Sequence, residues 1–168
     1  MRNDDEGKGT VNMGTVVDLK TYWEQVSRFS QYPEDKRADG YALGLLAEAG
    51  EVCGVVDKWL RNKYDEAEMK RRLVEELGDC AWFCVARLDY LLGGEFFDLS
   101  LDCNEPLNLF YDVQQLFHNA IYLSYEPLDA DYEVQSMMCY ISILATYADT
   151  TLQAVLDANM AKLTERHG

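Results

Sequence analysis

The chain has 168 residues, 48% of them apolar, and a formal net charge of −15. Length and apolar content suit one folded domain with a core of its own and exclude a disordered acidic tail. The charge excludes general binding to a nucleic-acid backbone, which demands a basic surface, yet leaves room for a small anionic ligand held through bound cations.

Residues 1 to 17 are polar and Gly-rich without periodicity and read as a flexible tail ahead of one domain over 18–168. The polar start, Met1-Arg2-Asn3-Asp4-Asp5-Glu6, is unlike a signal peptide, and no apolar run approaches membrane-spanning length. A cytoplasmic protein without a membrane partner is therefore expected. Five cysteines form no CxxC pair. Cys53, Cys80 and Cys84 fall in apolar helical stretches and read as small core residues in a reducing compartment.

From Asp18 onward Leu19, Tyr22, Trp23, Val26 and Phe29 recur at helical spacing. After a polar connection around Pro33 the pattern predicts a helix over about 38–62. Its apolar stripe is Leu45, Ala49, Val52, Val56, Trp59 and Leu60. Asp65 and Glu68 suit a capping box for a further helix ending at Gly93-Gly94, with Leu73, Leu77, Cys80, Ala81, Cys84 and Leu88 as its stripe. A loop around Pro106 follows, then helices over about 107–123 and 132–147. A last helix, capped by Asp149, Thr150 or Thr151, runs to about Arg166. No stretch shows strand alternation with hairpin turns, so the expected fold is an all-α bundle.

Two carboxylate pairs carry the chemistry. Glu48 and Glu51 lie three residues apart around Gly50, and Glu76 and Asp79 do so around Gly78, which puts each pair on one helical face. An ExxE spacing alone marks the wet side of many surface helices. Here, on a wheel of about 100° per residue, Glu48 and Glu51 flank the apolar stripe, away from Lys58 and Arg61. Asp79 precedes a run, Cys80 to Cys84, that leaves its helix apolar almost all round, and an ionised carboxylate in such a helix needs a partner. Four converging carboxylates repel unless a cation sits among them. An all-oxygen set favours Mg²⁺ or Mn²⁺ over zinc, and neither His118 nor His167 stands in a di-iron ExxH arrangement. Glycine inside a helix costs about 1 kcal/mol relative to alanine, so Gly50 and Gly78 suggest close backbone approach, by a facing helix or by a ligand.

In the last helix Asn159 falls inside the stripe of Leu152, Val155, Leu156 and Leu163. A buried amide must find partners. These are a neighbouring helix end or, with Lys162 and Arg166 on successive turns, substrate sugar or phosphate. Trp23, Trp59, Trp82, Phe83 and Tyr90 are aromatics able to stack on a base; Trp23 is the first choice, although helical spacing usually marks core. Lys58, Arg61 and Lys63 read as solvated charge.

Taken together, Glu48-x-x-Glu51, Glu76-x-x-Asp79 and Asn159-x-x-Lys162, in the words GLLAEAGEV, EELGDCAWF and VLDANMAKLTERHG, resemble the MazG-type all-α nucleoside triphosphate pyrophosphohydrolases, some of them carried by bacteriophages. The resemblance covers roughly 18–92 and 151–168. It implies Mg²⁺-dependent cleavage of a (d)NTP to the monophosphate and pyrophosphate, as in dimeric dUTPases, dCTP pyrophosphatases and phosphoribosyl-ATP pyrophosphatases. By motif position Glu48, Glu51, Glu76 and Asp79 hold the metal, Glu48 or Glu51 also orients the attacking water, and Asn159 and Lys162 contact substrate. It also implies a homo-oligomer, dimer or tetramer. The departure is an insertion over about 95–150 that adds two helices before the last one, in a place a second protomer takes elsewhere. The rival function is a catalytically silent, acidic helical regulator that binds a partner protein.

Overall fold

The computed structural model describes residues 15–95 and 99–168. Among the described residues six α-helices make up the fold: α1 (Leu19–Val26), α2 (Arg37–Leu60), α3 (Glu66–Leu92), α4 (Leu109–Ser124), α5 (Ala130–Tyr147) and α6 (Leu152–His167). The all-α expectation holds. Single 3₁₀ turns at Ser27–Phe29 and Glu34–Lys36 carry the chain from α1 into α2.

Short polar side chains start the helices by accepting from backbone N–H groups that have no partner inside the helix. Asp18 accepts from Thr21 at 2.8 Å, Asp65 from Glu68 at 2.8 Å, Asn108 from Tyr111 at 2.8 Å, and Asp129 from Tyr132 at 3.0 Å. Of the three residues offered as a cap for α6, Thr151 does the work, accepting from Ala154 at 3.3 Å. Glu68 turns its carboxylate to Arg71 and Arg72. Gly93, at φ 63°, ends α3 in the left-handed region that glycine tolerates.

The chain departs from expectation in two places, just before α1 and in the segment after α3. The proposed tail lies outside the described residues as far as 14, but its last three form strand β1 (Thr15–Val17). This strand pairs antiparallel with β2 (Leu99–Leu101), inside the stretch expected to be loop. Val17, Leu99 and Leu101 are buried, so the pairing fastens the entry of α1 to the core.

Helix α2 packs on α3 and α4, and α5 packs on α3 and α4, which closes a ring of four helices within one chain. The two inserted helices, α4 and α5, thus complete the bundle. On the other side of α3 lie α1 and α6, which also touch each other. Helix α3 therefore belongs to both layers. That double membership is why Cys80, Ala81, Trp82, Cys84, Val85, Ala86 and Leu88 are all buried and why its sequence is apolar almost all round.

Arg87, only 4% exposed, fixes the insertion to this centre. Its guanidinium donates to the carbonyls of Leu123 at 3.0 Å and Tyr125 at 2.9 Å, at the C-terminus of α4, and to Ala38 on α2 at 3.3 Å. A cation is well placed where helix carbonyls lack partners. No helix among the described residues is long and apolar enough to cross a membrane.

Candidate metal centre

Where α2 and α3 face each other, Glu48, Glu76 and Asp79 each bring one carboxylate oxygen within 4.8 Å of the others. Three of the four expected ligands therefore converge. Glu51 stands outside this triad and is exposed, one turn along α2, although its charge reaches Glu48 and Glu76.

The local electrostatics are those of crowded acids. Glu48 is pushed up to about 7, first by burial and then by the charges of Asp79 and Glu76. Glu76 is also raised, by burial, Asp79 and Glu51 in that order. In both cases Lys162 pulls the other way. Its ammonium lies on both carboxylate oxygens of Asp79, so one fixed cation serves three acids. Such a set of carboxylate oxygens with an excess of negative charge could hold a metal ion.

Helix α6 supplies the partners of Asp79. Asn159, 3% exposed, donates from Nδ2 to Asp79 Oδ1 at 2.8 Å. Its own Oδ1 accepts from the Tyr22 hydroxyl of α1 at 2.7 Å. The amide thus lies between two side chains and not against a helix end. Both Asn159 and Lys162, expected to contact substrate, are engaged by Asp79 in this structure.

The glycines divide. A Cβ on Gly78 would lie 2.9 Å from Asn159 Cβ, so the close approach expected there is real and the neighbour is α6. Gly50 has nothing within 4 Å, so no facing helix approaches it. Two glycines not singled out in the sequence matter more. Cβ atoms on Gly40 and Gly44 would meet the rings of Tyr32 at 2.4 Å and Phe83 at 2.1 Å. Their i, i+4 spacing on α2 is the signal that would have found this contact.

Beside the triad a cleft of about 420 Å³ is walled by Phe29, Tyr32, Trp82 and Phe83, with Arg166 and His167 also lining it. Glu48 and Asp79 form part of the same wall. Arg166 therefore borders this cleft. Trp23 does not: it is 7% exposed and packs behind Trp82, ring centroids 5.6 Å apart, so it is a core residue. Among the other aromatics Tyr90 lies under Arg87, and Trp59 lines a separate hollow between α3 and the α5–α6 turn.

Compared with protein-family models, with curated proteins and with solved structures, the chain matches none.

Proposed function

We propose that the chain is a Mg²⁺-dependent nucleoside triphosphate pyrophosphohydrolase, with Mn²⁺ able to replace Mg²⁺, that cleaves a (d)NTP to the (d)NMP and pyrophosphate. The observation that carries this reading is the junction of an acidic triad with an aromatic cleft. Glu48 and Asp79 lie on the wall that also presents Trp82, Phe83 and Arg166. A nucleotide needs both halves: rings to stack on its base, and cation-binding oxygens next to its phosphates. The resemblance to MazG-type enzymes in the three ordered motifs adds support.

Glu48, Glu76 and Asp79 would hold the cation, which when bound supplies Lewis acidity and neutralises charge on the phosphates being parted. The remaining roles fall to the chain's own groups. Glu51, outside the triad, is the carboxylate of the first pair left to orient the attacking water. Asn159 and Lys162 hold Asp79 in place from α6, and Arg166 offers a guanidinium to an anionic group in the cleft. Phe83 and Tyr32, seated on Gly44 and Gly40, form the stacking wall.

One observation favours the rival reading of a catalytically silent helical regulator. The Lys162 ammonium already offsets part of the triad's charge, and a structural bundle needs no more than that. A panel of NTPs and dNTPs with Mg²⁺, read out as pyrophosphate release, separates the two. Release from at least one nucleotide, absent without the metal, is expected. No release from any, together with no Mg²⁺ binding by calorimetry, overturns the enzyme reading.

The family resemblance implies a homo-oligomer. The ring closed by α4 and α5 within one chain supports the other arrangement, in which the insertion takes the place of a second protomer. Light scattering of an active preparation distinguishes a monomer from a dimer or tetramer.

A further inference from the structure

A second chemical site lies in the insertion, apart from the acidic triad. Cys103, just beyond β2, and Cys139, in the middle of α5, are both half-buried and both free thiols. They line one groove of about 290 Å³ together with Asp102, Tyr132, Ser136 and Tyr140. Strand β2 packs directly on α5, and the two thiols lie close enough for each to shift the other's acidity. We propose that Cys103 and Cys139 form a dithiol site that a hydroperoxide converts to an intramolecular disulfide.

The neighbouring Cys139 holds the Cys103 thiol below its ordinary range while Cys139 is pushed up, which favours Cys103 as the attacking sulfur and leaves Cys139 as the resolving partner. The Cys103 thiolate attacks the distal oxygen of the hydroperoxide, the O–O bond breaks, and the departing alkoxide or hydroxide leaves as an alcohol or water on taking a proton. The resulting sulfenic acid is attacked by the Cys139 sulfur; its S–O bond breaks, the hydroxyl leaves as water with the Cys139 proton, and the S–S bond forms. Two thiols lose two protons and two electrons, and one hydroperoxide is reduced to alcohol or water and a second water.

The other cysteines behave differently. Cys80 and Cys84 are fully buried and Cys53 half-buried, and burial pushes all three thiols up. They are poor nucleophiles and serve as internal controls. The bond would close a loop containing α4 and tie β2, and through it β1 at the entry of α1, to the body of α5. A cross-link of this kind stabilises mainly by restricting the unfolded chain.

The test treats the reduced, folded chain with hydrogen peroxide, quenches with an alkylating agent and maps peptides. The expected result is a peptide pair joining Cys103 to Cys139, lost on reduction, with Cys53, Cys80 and Cys84 alkylated. A rise of roughly 5–10 °C in the thermal midpoint, reversed by dithiothreitol, accompanies it. In Cys139→Ser the cross-link disappears and Cys103 becomes reactive toward dimedone, a sulfenic-acid trap. The proposal is overturned if both cysteines remain alkylatable after peroxide, if either pairs with a different cysteine, or if oxidation stops at sulfinic acid on Cys103 in the wild-type chain. Because the wild-type map alone decides, a variant that fails to fold leaves the outcome intact.

Discussion

The Tyr22 hydroxyl and the Asn159 side chain define the site's geometry between them. With the phenol 2.7 Å from Oδ1, the amide has one orientation left, and that orientation points Nδ2 at Asp79. Tyr22→Phe removes the constraint while keeping the ring in the core. The expected cost is about 1 kcal/mol in denaturant stability, with a several-fold weaker Mg²⁺ affinity measured by calorimetry. Unchanged metal affinity would mean that Asp79 needs no help from α1.

The acids themselves give a sharper contrast. Glu76→Gln and Asp79→Asn are each expected to reduce pyrophosphate release by at least about a hundredfold, the order expected for lost transition-state charge stabilisation, with the helical circular dichroism signal intact. Glu51→Gln is expected to lower turnover while leaving Mg²⁺ affinity close to wild type, because Glu51 lies outside the triad. Equal losses of metal binding in all three variants would restore the four-ligand set.

Acidity offers an independent check. Glu48 titrates at about 7 in the folded chain against an ordinary 4.5, so the folded state holds its proton more tightly than the unfolded one. Its ionisation therefore destabilises the metal-free protein progressively between about 4.5 and about 7, and adds no further loss above that window. A divalent cation replaces the proton, so the stabilisation by Mg²⁺ should grow across the same window. Thermal midpoints of wild type and Glu48→Gln, with and without Mg²⁺, test this. The two proteins should converge at the acid end, and the variant should be the more stable one when alkaline and metal-free.

Gly78 and Gly50 make a paired test of packing. Gly78→Ala drives a methyl to within 2.9 Å of Asn159 and should destabilise by about 1–3 kcal/mol as α6 is forced outward. Gly50→Ala meets nothing within 4 Å and should stabilise by up to about 1 kcal/mol through helix propensity alone. Chemical denaturation of the two variants suffices.

Much of the architecture was readable because each helix is announced by chemistry at its ends and a stripe along its length. Asp18, Asp65 and Thr151 cap where the pattern placed a start, and the apolar girth of α3 foretold a helix enclosed from two sides. The β1–β2 pairing was not readable, since three residues are too few to display alternation. Spacing placed Glu48 and Glu51 on one face of α2, but only the way α2 lies on α3 separates the inward acid from the outward one. The same limit applies to Trp23 and Trp82. Helical periodicity says that both rings turn toward the interior, whereas their order in the stack decides which of them meets the cleft.

The parts that meet at Asp79 come from residues some 80 positions apart: Asn159 and Lys162 reach it from α6, the last helix of the bundle. With α6 undocked the three acids would lack the ammonium that tempers them. A divalent cation held there would therefore act on folding as well as on any reaction. In physical terms the centre doubles as a latch, and the stretch that follows Thr151 is what shuts it.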